Sequence, residues 1–429
     1  MINVALLGCG TVGSGVVKLL AANGEPIARK TGSEIRIVKV LEKEPEKCLA
    51  LGLKAEQITG DFNDILNDES IDIVVELIGG LEPAFSFIIA AMKKGKHIVS
   101  ANKDLIAVKG KGLFETAEQH QVDFYFEASV AGGIPIVFPL KQSLAANSIR
   151  EVIGILNGTT NYILTKMSRA GCDYQDALQE AQALGYAEAD PSADVEGMDA
   201  ARKIAILSSI AFNSRVTLSD VFVEGITAIT LRDIQYAREL GFAVKLLAIA
   251  KEVEGQVQVR VHPAFVPFNH PLAVVNDVYN AVFVSGDAVG EIMHYGRGAG
   301  SMPTASAVVG DIIEISRNLL HHSNARIGCT CFEEKPILPI SELKAEYYIR
   351  MTVADRPGVL AGIAGVFGNN SVSLAQVLQK ASRDEKAELI LITHLVREQD
   401  MQDALTVLRG MSIVDQINNV VRLEGTRRS

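Results

Sequence analysis

The first thirteen residues place the strongest constraint on the fold. An apolar run, Ile2–Leu7, leads directly into the glycine-rich turn Gly8-Cys9-Gly10-Thr11-Val12-Gly13. A short, uniformly apolar run is typical of a parallel strand buried on both faces of a sheet. The pattern G-x-G-x-x-G after such a strand and before a helix is typical of dinucleotide-binding folds. The chain is therefore predicted to begin with a strand, a phosphate-binding turn and a helix.

The glycines of this turn have different predicted tasks. Gly8 permits the tight turn, Gly10 leaves space for a pyrophosphate beside the backbone, and Gly13 lets the helix pack closely on the strand. The amino terminus of the helix then presents free N–H groups and a positive dipole end to the phosphates. We expect Thr11 and Val12 to contact the dinucleotide as well. A packing turn without a ligand is the alternative.

Strand-like and helix-like segments alternate over residues 1–130. The predicted strands are Ile2–Leu7, Ile35–Leu41, Ile71–Leu77, His97–Ser100 and Phe124–Phe126, and the first helix is predicted over Val12–Leu20. This alternation indicates βαβ units with right-handed crossovers. We therefore predict an α/β fold that opens with a Rossmann-type, doubly wound parallel sheet, the NAD(P)-binding domain.

Three further segments follow. Residues 131–325 mix long helical stretches with alternating strand-like segments, which predicts an α+β domain for substrate binding, catalysis and sheet-mediated dimerisation. Residues 326–344 contain Pro336 and Pro339 and are predicted to be a linker. Residues 345–429 follow the order βαββαβ, which is typical of a ferredoxin-like domain.

Charge and cysteine content exclude several classes of partner. Acidic residues number 51 against 41 basic ones, a net charge of −10 without a long basic run, so nucleic acid and membrane surfaces are not expected partners. No apolar run approaches the length of about 20 residues that spans a bilayer. The five cysteines are Cys9, Cys48, Cys172, Cys329 and Cys331. Because Cys329-x-Cys331 lacks a second pair, it is a weak metal signal, and reduced thiols in a cytoplasmic protein are expected.

The residues after the second predicted strand bear on cofactor choice. A carboxylate there binds the 2′-hydroxyl of NAD, whereas a cation favours NADP. This chain has Glu42, Lys43 and Glu44 together, so the sequence leaves NAD and NADP open.

Ser100-Ala101-Asn102-Lys103 follows the carboxyl end of a predicted strand. Ligands of open α/β sheets bind at this edge. Lys103 there can contact a phosphate, a nicotinamide ribose or a substrate carboxylate. An ordinary surface lysine is the alternative.

A carboxylate-rich segment, Gly185–Lys203, leads into an apolar helix. Asp199 and Lys203 are four residues apart, so they share one helix face. If that face borders a cleft, Asp199 can keep Lys203 charged, and Lys203 can donate a proton or polarise a carbonyl. Glu188 can bind a substrate ammonium group. The alternative is an exposed ion pair worth a few tenths of a kcal/mol.

Together these motifs resemble homoserine dehydrogenase with a carboxyl-terminal ACT regulatory domain. The resemblance covers about residues 1–325 and is carried by Gly8–Gly13, Ser100–Lys103, Asn157–Asn161, Gly185–Lys203 and Gly296–Thr304. It implies NAD(P)H-dependent reduction of L-aspartate 4-semialdehyde to L-homoserine, a step in threonine, methionine and isoleucine biosynthesis. Another amino-acid-pathway NAD(P)-dependent dehydrogenase is one alternative. A non-catalytic amino-acid sensor is the other, and it would be expected to lack Lys203 or Asp199.

The resemblance also implies residue roles. Lys203 matches the proton donor of the family, and Glu188 and Asp199 match its substrate-binding carboxylates. Lys103 matches the lysine between cofactor and substrate. The remaining matches near the cofactor are Asn102, Gly185 and Gly300. The segment from 127 to 134 resembles the sodium loop of the family, which implies a sodium ion held by a carboxylate and by backbone carbonyls. The residues concerned are Glu127, Val130, Gly132 and Ile134.

Near the carboxyl end, Asp355-Arg356-Pro357-Gly358 resembles the ligand-binding turn of ACT domains. The resemblance implies an amino-acid effector at Asp355, Pro357 and Gly358, with threonine as the expected feedback inhibitor. It also implies a homodimer or homotetramer. The oligomer size and the identity of the effector are left open by the sequence.

Overall fold

The computed structural model of the chain describes residues 1–326, 328–383 and 385–426. The strands, in chain order, are β1 (Ile2–Leu7), β2 (Ile35–Leu41), β3 (Ile58–Thr59), β4 (Ile73–Glu76), β5 (His97–Ser100), β6 (Phe124–Tyr125), β7 (Ile149–Ile155), β8 (Phe222–Val223), β9 (Phe242–Val253), β10 (Gln256–Pro267), β11 (Tyr279–Gly286), β12 (Gly290–Arg297), β13 (Lys344–Ala354), β14 (Leu374–Arg383), β15 (Lys386–Thr393), β16 (Val396–Arg397) and β17 (Val414–Leu423). The helices are α1 (Thr11–Thr31), α2 (Pro45–Leu49), α3 (Asn63–Leu66), α4 (Ala84–Lys93), α5 (Lys103–Gln119), α6 (Gly158–Ala170), α7 (Tyr174–Ala183), α8 (Ser192–Val195), α9 (Met198–Ala211), α10 (Leu231–Glu239), α11 (Ser301–Leu320), α12 (Val359–Asn369) and α13 (Glu398–Arg409).

These elements form two compact units, and neither is continuous in sequence. The first unit comprises Met1–Val152, Arg202–Asp220 and Tyr279–Lys335. The second unit comprises Ile153–Ala201, Val221–Val278 and the chain from Pro336 onward. The domain boundaries drawn from the sequence at residues 130, 325 and 344 stay predictions.

The first unit is built on a six-stranded parallel sheet. Its strand order is β3-β2-β1-β4-β5-β6. This is the order of a doubly wound dinucleotide-binding fold, so the predicted fold class is confirmed. The strand order reverses between β1 and β4, and the loops at the carboxyl ends of these two strands are where such folds bind ligands.

Helix α1 continues beyond the predicted end at Leu20. It reaches Thr31 and contains Pro26, and Gly32 closes it in the left-handed conformation with φ 84°. Packing outweighs the cost of the proline because Ile27 and Thr31 are buried beyond it. Helix α11 packs along α1, and a Cβ atom on Gly15 would lie 2.6 Å from the carbonyl oxygen of Ser301.

The second unit contains the predicted ferredoxin-like domain. Its antiparallel strands have the order β17-β13-β15-β14, and helices α12 and α13 contribute Ile363, Phe367, Met401 and Leu405 to its core. The βαββαβ prediction is therefore confirmed. The short strand β16, which pairs with β13, is an addition that the sequence pattern did not predict.

The sheet of this domain is continuous with the hairpin formed by β9 and β10. Strand β17 pairs in parallel with β10, so that Ala264 lies opposite Arg422 and Phe265 opposite Leu423. The next residue, Glu424, accepts hydrogen bonds from Lys251 and, at 2.8 Å, from Arg260. Burial alone would raise the pKa of Glu424, but Lys251 and Arg260 outweigh it and lower this pKa to about 2. The two parts of the second unit are therefore joined by backbone pairing and by ion pairs.

The predicted linker also makes backbone contacts. Within the first unit Glu333 forms a bridge with Ser214, and within the second unit Ile337 forms a bridge with Val257. All five cysteines are free thiols. Among the residues that the structure describes, no helix combines the length and apolar character needed to cross a membrane.

Candidate active site

The glycine-rich turn has the geometry of a phosphate cradle. Gly8 has φ +101°, and a Cβ atom there would lie 3.1 Å from the carbonyl oxygen of Leu77. A Cβ atom on Gly13 would lie only 2.3 Å from the carbonyl oxygen of Gly8. Around Gly10, by contrast, no atom of the described residues comes within 4 Å of the Cβ position. The turn is thus closed where strand and helix pack and open where a pyrophosphate would approach.

Glu42 lies directly after β2 and against this turn. One carboxylate oxygen accepts a hydrogen bond from the backbone N–H of Cys9 at 2.8 Å. The other accepts from the N–H groups of Lys43 at 2.8 Å and Glu44 at 3.2 Å. Partial burial would raise the pKa of the Glu42 carboxyl, but these backbone donors outweigh it and hold its pKa below the usual value. The carboxylate borders a cavity lined by Glu42, Lys43, Pro45, Leu49, Ala55, Ile58, Thr59 and Gly60.

A buried carboxylate, Glu76, organises the loops after β4 and β5. It accepts hydrogen bonds from the N–H groups of Ile78 and Gly79, both at 2.9 Å, and from the hydroxyl of Ser100 at 2.7 Å. The amide of Asn102, a predicted cofactor contact, donates to the carbonyl of Gly80 at 2.7 Å. Glu76 was not among the residues predicted from the sequence, although a charged residue that ends an apolar strand is a usable signal.

The start of α11 lies beside the start of α1. Gly300 precedes α11 with φ 120°, and the hydroxyl of Ser301 donates to the carbonyl of Thr11 at 2.6 Å. This contact brings Gly300, which is distant in sequence, to the glycine-rich turn.

Two predicted lysines belong to the first unit, on α5 and α9. Lys103 is the first residue of α5, and Lys203 is on α9. An ion pair of 2.7 Å joins Asp104 Oδ1 to Arg202 Nε, so each partner is the immediate neighbour of one lysine. This ion pair therefore joins α5 to α9 within the first unit, next in sequence to the two lysines.

The substrate carboxylates predicted from the sequence belong to the second unit. Asp199 is buried, and its Oδ2 accepts a hydrogen bond of 2.9 Å from the amide of Asn157. The same amide donates to Asp194 Oδ1 at 2.7 Å, while its own oxygen accepts from the N–H of Thr160 and begins α6. Asn157 thus bridges two carboxylates and caps a helix with one side chain. Both Asn157 and Asp194 lie in segments that carry the family resemblance, but neither was given a role from the sequence.

The loop before α8 carries Glu188 and Gly185. Both are exposed, and Gly185 has φ +73°. The loop is attached to α6 by the hydroxyl of Thr159, which donates to the carbonyl of Tyr186 at 2.7 Å. Gln182 donates to the carbonyl of Glu188 at 3.1 Å. The Glu188 carboxylate has no hydrogen bond to any residue that the structure describes, so it can bind a substrate ammonium group.

Helix α9 carries both Asp199 and Lys203, one turn apart. A carboxylate and an ammonium group on one helix face can orient a polar substrate and supply a proton to an oxygen that gains charge.

The predicted ion loop contains one buried carboxyl group, Glu127, and a second, Asp311 on α11, lies against it. Glu127 accepts hydrogen bonds from the N–H groups of Ile136 at 2.5 Å, Val137 at 2.9 Å and Phe138 at 2.6 Å. Asp311 accepts from the N–H of Glu127 at 2.9 Å. Burial, together with the charge of Glu127, raises the pKa of Asp311 well above its usual value. Within the described ranges, neither carboxyl group forms an ion pair with a lysine or arginine.

Backbone oxygens of the same loop are available as ligands. The carbonyl groups of Val130, Gly132 and Ile134 accept no hydrogen bond from any described residue. Among the described residues, no three or more histidine, cysteine, aspartate or glutamate side chains are grouped so that they could hold a metal ion. The donor set therefore fits a hard cation bound mainly by carbonyl oxygen.

The ACT turn lies between β13 and α12. Gly358 has φ +90°, a conformation that other residues rarely adopt, and Asp355, Pro357 and Gly358 are exposed. Asp355 is held by its N–H, which donates to Glu385 at 2.8 Å, and by Gln379, which donates to its carboxylate at 3.2 Å. The turn is thus held by hydrogen bonds at Asp355, whereas Pro357 and Gly358 are exposed to solvent.

Comparison with known proteins gives a consistent result along the whole chain. Residues 8–127 match the family model described as homoserine dehydrogenase, NAD binding domain; residues 135–313 match homoserine dehydrogenase; and residues 347–411 match the ACT domain. The homoserine dehydrogenase of Corynebacterium glutamicum is 45% identical over 428 residues, which cover 99% of this chain and 96% of the relative.

Solved structures agree. The crystal structure of a homoserine dehydrogenase from Thiobacillus denitrificans is 43% identical, with a TM-score of 0.93, over 99% of this chain and 98% of that one. A hyperthermophilic archaeal homoserine dehydrogenase in complex with NADPH is 27% identical, with a TM-score of 0.63, over 76% of this chain and 99% of that one.

Proposed function

The chain belongs to the homoserine dehydrogenase family and is an NAD(P)-binding oxidoreductase with an ACT domain, and from this premise we propose how its residues perform the reaction. The substrate is L-aspartate 4-semialdehyde, and the product is L-homoserine. A bound nicotinamide would supply the hydride to the aldehyde carbon. Lys203 donates the proton to the aldehyde oxygen as its negative charge develops.

The observation that carries these roles is the placement of opposite charges on one helix. Asp199, held by Asn157, and exposed Glu188 bind the ammonium group of the substrate, while Lys103 beside the sheet edge binds its carboxylate or the cofactor ribose. Family membership favours this activity over another amino-acid-pathway dehydrogenase and over a non-catalytic sensor. A steady-state assay with L-aspartate 4-semialdehyde and each reduced cofactor tests it. Turnover of a different aldehyde alone would contradict it.

We further propose that the cofactor is NAD rather than NADP, which the sequence left open. Support comes from Glu42, whose carboxylate is anionic and held by three backbone N–H groups at the end of β2. This group can accept a hydrogen bond from a ribose 2′-hydroxyl. A 2′-phosphate at the same place would meet like charge, at a cost of roughly 2 kcal/mol, or about thirtyfold in affinity.

Direct titration of the protein with NADH and NADPH, followed by calorimetry, checks this cofactor preference without a turnover assay. We expect tighter binding of NADH by at least about tenfold. Glu42→Gln should bring the two dissociation constants within about fivefold of each other, because the repulsive charge is removed. The matched control is Glu44→Gln, since the exposed Glu44 carboxylate pairs with Lys47 instead. Tighter NADPH binding by the unaltered protein would disprove the preference.

The ACT domain is proposed to bind threonine at the turn from Asp355 to Gly358. The open side of this turn and the left-handed conformation of Gly358 support a ligand that approaches the backbone closely. Because the β17–β10 pairing and the Glu424 ion pairs join this domain to the rest of the second unit, occupancy can alter the second unit as a whole.

A Gly358→Ala substitution tests the effector site. Its added methyl group, at a positive φ, should weaken threonine binding by about tenfold or more, while uninhibited kcat stays within about twofold. Gly365→Ala is the matched control, because Gly365 lies within α12 and has open space around its Cβ position. The measurements are calorimetric binding and inhibition curves. Equal inhibition constants for the two variants would place the effector elsewhere.

A sodium ion is proposed at the loop from Glu127 to Ile134. Its support is the set of carbonyl oxygens without donors, beside two buried carboxyl groups that lack a paired cation. We expect sodium chloride to raise the thermal midpoint relative to choline chloride at equal ionic strength, because only sodium can enter the loop. Identical midpoints in the two salts would count against the site.

The assembly is proposed to be a homodimer or homotetramer. Strand β12 supports this, because Met293 and Tyr295 are exposed on it and β11 is its one pairing partner among the described residues. A cytoplasmic location, suggested by the five free thiols, stays a prediction.

A further inference from the structure

Cys329 and Cys331 form a thiol pair that the reaction does not use. The N–H of Cys331 donates to Cys329 Sγ at 3.5 Å. Cys329 is exposed, whereas Cys331 is partly buried and its thiol donates to the carbonyl of Ser209 at 3.7 Å. Cys329 is therefore the more accessible residue of the pair.

The surroundings of Cys329 favour its anionic form. The neighbouring Cys331 thiol is the main cause that lowers the pKa of Cys329, and the Cys331 N–H and the positive charges of Lys141 and Arg215 add to it. The neighbouring Cys329 side chain, together with burial, raises the pKa of Cys331. Lys141 stands over the rings of Phe114 and Phe126, at 5.2 and 5.3 Å, and has no ion pair with any carboxylate in the described part of the chain. The positive charge of Lys141 would stabilise a thiolate at Cys329.

From this arrangement we propose that Cys329 and Cys331 are a peroxide-reactive dithiol site, in which Cys329 attacks and Cys331 resolves. The Cys329 thiolate attacks one oxygen of hydrogen peroxide, the O–O bond breaks, and hydroxide leaves, so that Cys329 becomes a sulfenic acid. The Cys331 sulfur then attacks Cys329 Sγ, an S–S bond forms, and the hydroxyl group leaves as water with the Cys331 proton. In balance, two thiols and one peroxide give one disulfide and two waters.

We expect oxidation of the Cys329–Cys331 pair to affect helix α9, which carries Lys203, as well. Ser209, the partner of the Cys331 thiol, lies six residues after Lys203 on α9. Because a disulfide withdraws this thiol from Ser209, we expect the oxidised chain to turn over at least about twofold more slowly and to recover with dithiothreitol. This effect rests on the proposed role of Lys203, whereas disulfide formation does not, and the two are measured separately.

The test is a titration of the whole chain with hydrogen peroxide, followed by intact mass and peptide mapping. We expect a loss of about 2 Da from one intramolecular bridge between Cys329 and Cys331. In the Cys331→Ser variant, oxidation should stop at a sulfenic acid on Cys329, which dimedone labels. In the Cys329→Ser variant, Cys331 should react with peroxide no faster than the other cysteines of the chain. Cys172→Ser is the matched control, since Cys172 is a partly exposed thiol without a cysteine neighbour in the described residues, and it should form the bridge normally.

The contribution of the Lys141 charge to the reactivity of Cys329 is tested by Lys141→Met, which keeps the side-chain length and removes the cation. It should slow peroxide reaction at Cys329 by several-fold, while the bridge still forms. Faster modification of Cys172 than of Cys329, or a bridge between two chains in place of the internal one, would overturn the proposal. A complete internal bridge with unchanged turnover would overturn its link to α9.

Discussion

Replacement of Lys203 by methionine is expected to lower kcat by about 10³-fold, within the range that a positioned proton donor contributes. Methionine keeps much of the side-chain volume and removes the ammonium group, so the loss should come from chemistry and not from packing. Because Lys203 lies on α9 while the phosphate cradle lies at the start of α1, the dissociation constant for NADH should change less than about twofold. Steady-state kinetics and a direct cofactor titration measure the two effects.

Two controls make this result specific. Lys203→Arg retains the charge but cannot release a proton near neutral pH, so it should be nearly as inactive as the methionine variant. Lys166→Met removes a lysine that pairs with Glu180 on the surface, and its kcat should stay within about twofold of the original. If the arginine variant kept most of the activity, Lys203 would act through its charge and would not be the proton donor.

Replacement of Asp233 by alanine is expected to destabilise the second unit by about 3–5 kcal/mol. Asp233, fully buried on α10, accepts hydrogen bonds from Arg350 Nε at 2.8 Å and from Asn419 at 2.9 Å. It also accepts from Thr230, which begins α10, through a hydroxyl at 2.6 Å. Burial would raise the pKa of Asp233, but Arg350, Thr230 and Asn419 outweigh it and lower this pKa. Without the carboxylate, the buried Arg350 would lose its main counter-charge.

Urea denaturation monitored by circular dichroism measures this loss. Asp415→Ala is the matched control within the same sheet, because Asp415 pairs with Lys386 at 2.9 Å in an exposed position. The Asp415→Ala substitution should lower the free energy of unfolding by less than about 1 kcal/mol. The double variant Asp233→Ala with Arg350→Met should recover part of the stability, since the unpaired charge is gone. A loss below about 1 kcal/mol in Asp233→Ala would contradict the buried ion pair.

The Asp233 pair also explains why the ACT domain is better studied by point substitution than by deletion. Removal of the chain from β13 onward would take Arg350 and Asn419 from Asp233 and Glu424 from Lys251 and Arg260. It would also expose Phe265, which packs against Tyr348 with ring centroids 4.6 Å apart. A truncated chain could then lose activity through instability alone. Gly358→Ala avoids this difficulty because it changes only the turn.

Local sequence patterns were sufficient to predict much of the fold. The apolar run before Gly8 predicted β1, because a strand buried on both faces needs apolar residues throughout. The order of strands and helices after residue 345 predicted the ferredoxin-like domain, because strand alternation and helical spacing are set by residues that are close together in sequence. The end of α1 was missed because Gly24 and Pro26 are local signals against a helix, whereas the burial of Ile27 and Thr31 is not local.

The sequence by itself therefore determined the strand, the glycine-rich turn and the residue types on one face of α9. Only the tertiary structure decided which of them have partners. It gave Glu42 three backbone donors, placed Asn157 between Asp194 and Asp199, and joined β17 to β10. The physical reason is range: helix and strand patterns arise from residues a few positions apart, whereas a buried carboxylate takes its partners from whichever distant segments the fold brings within about 3 Å.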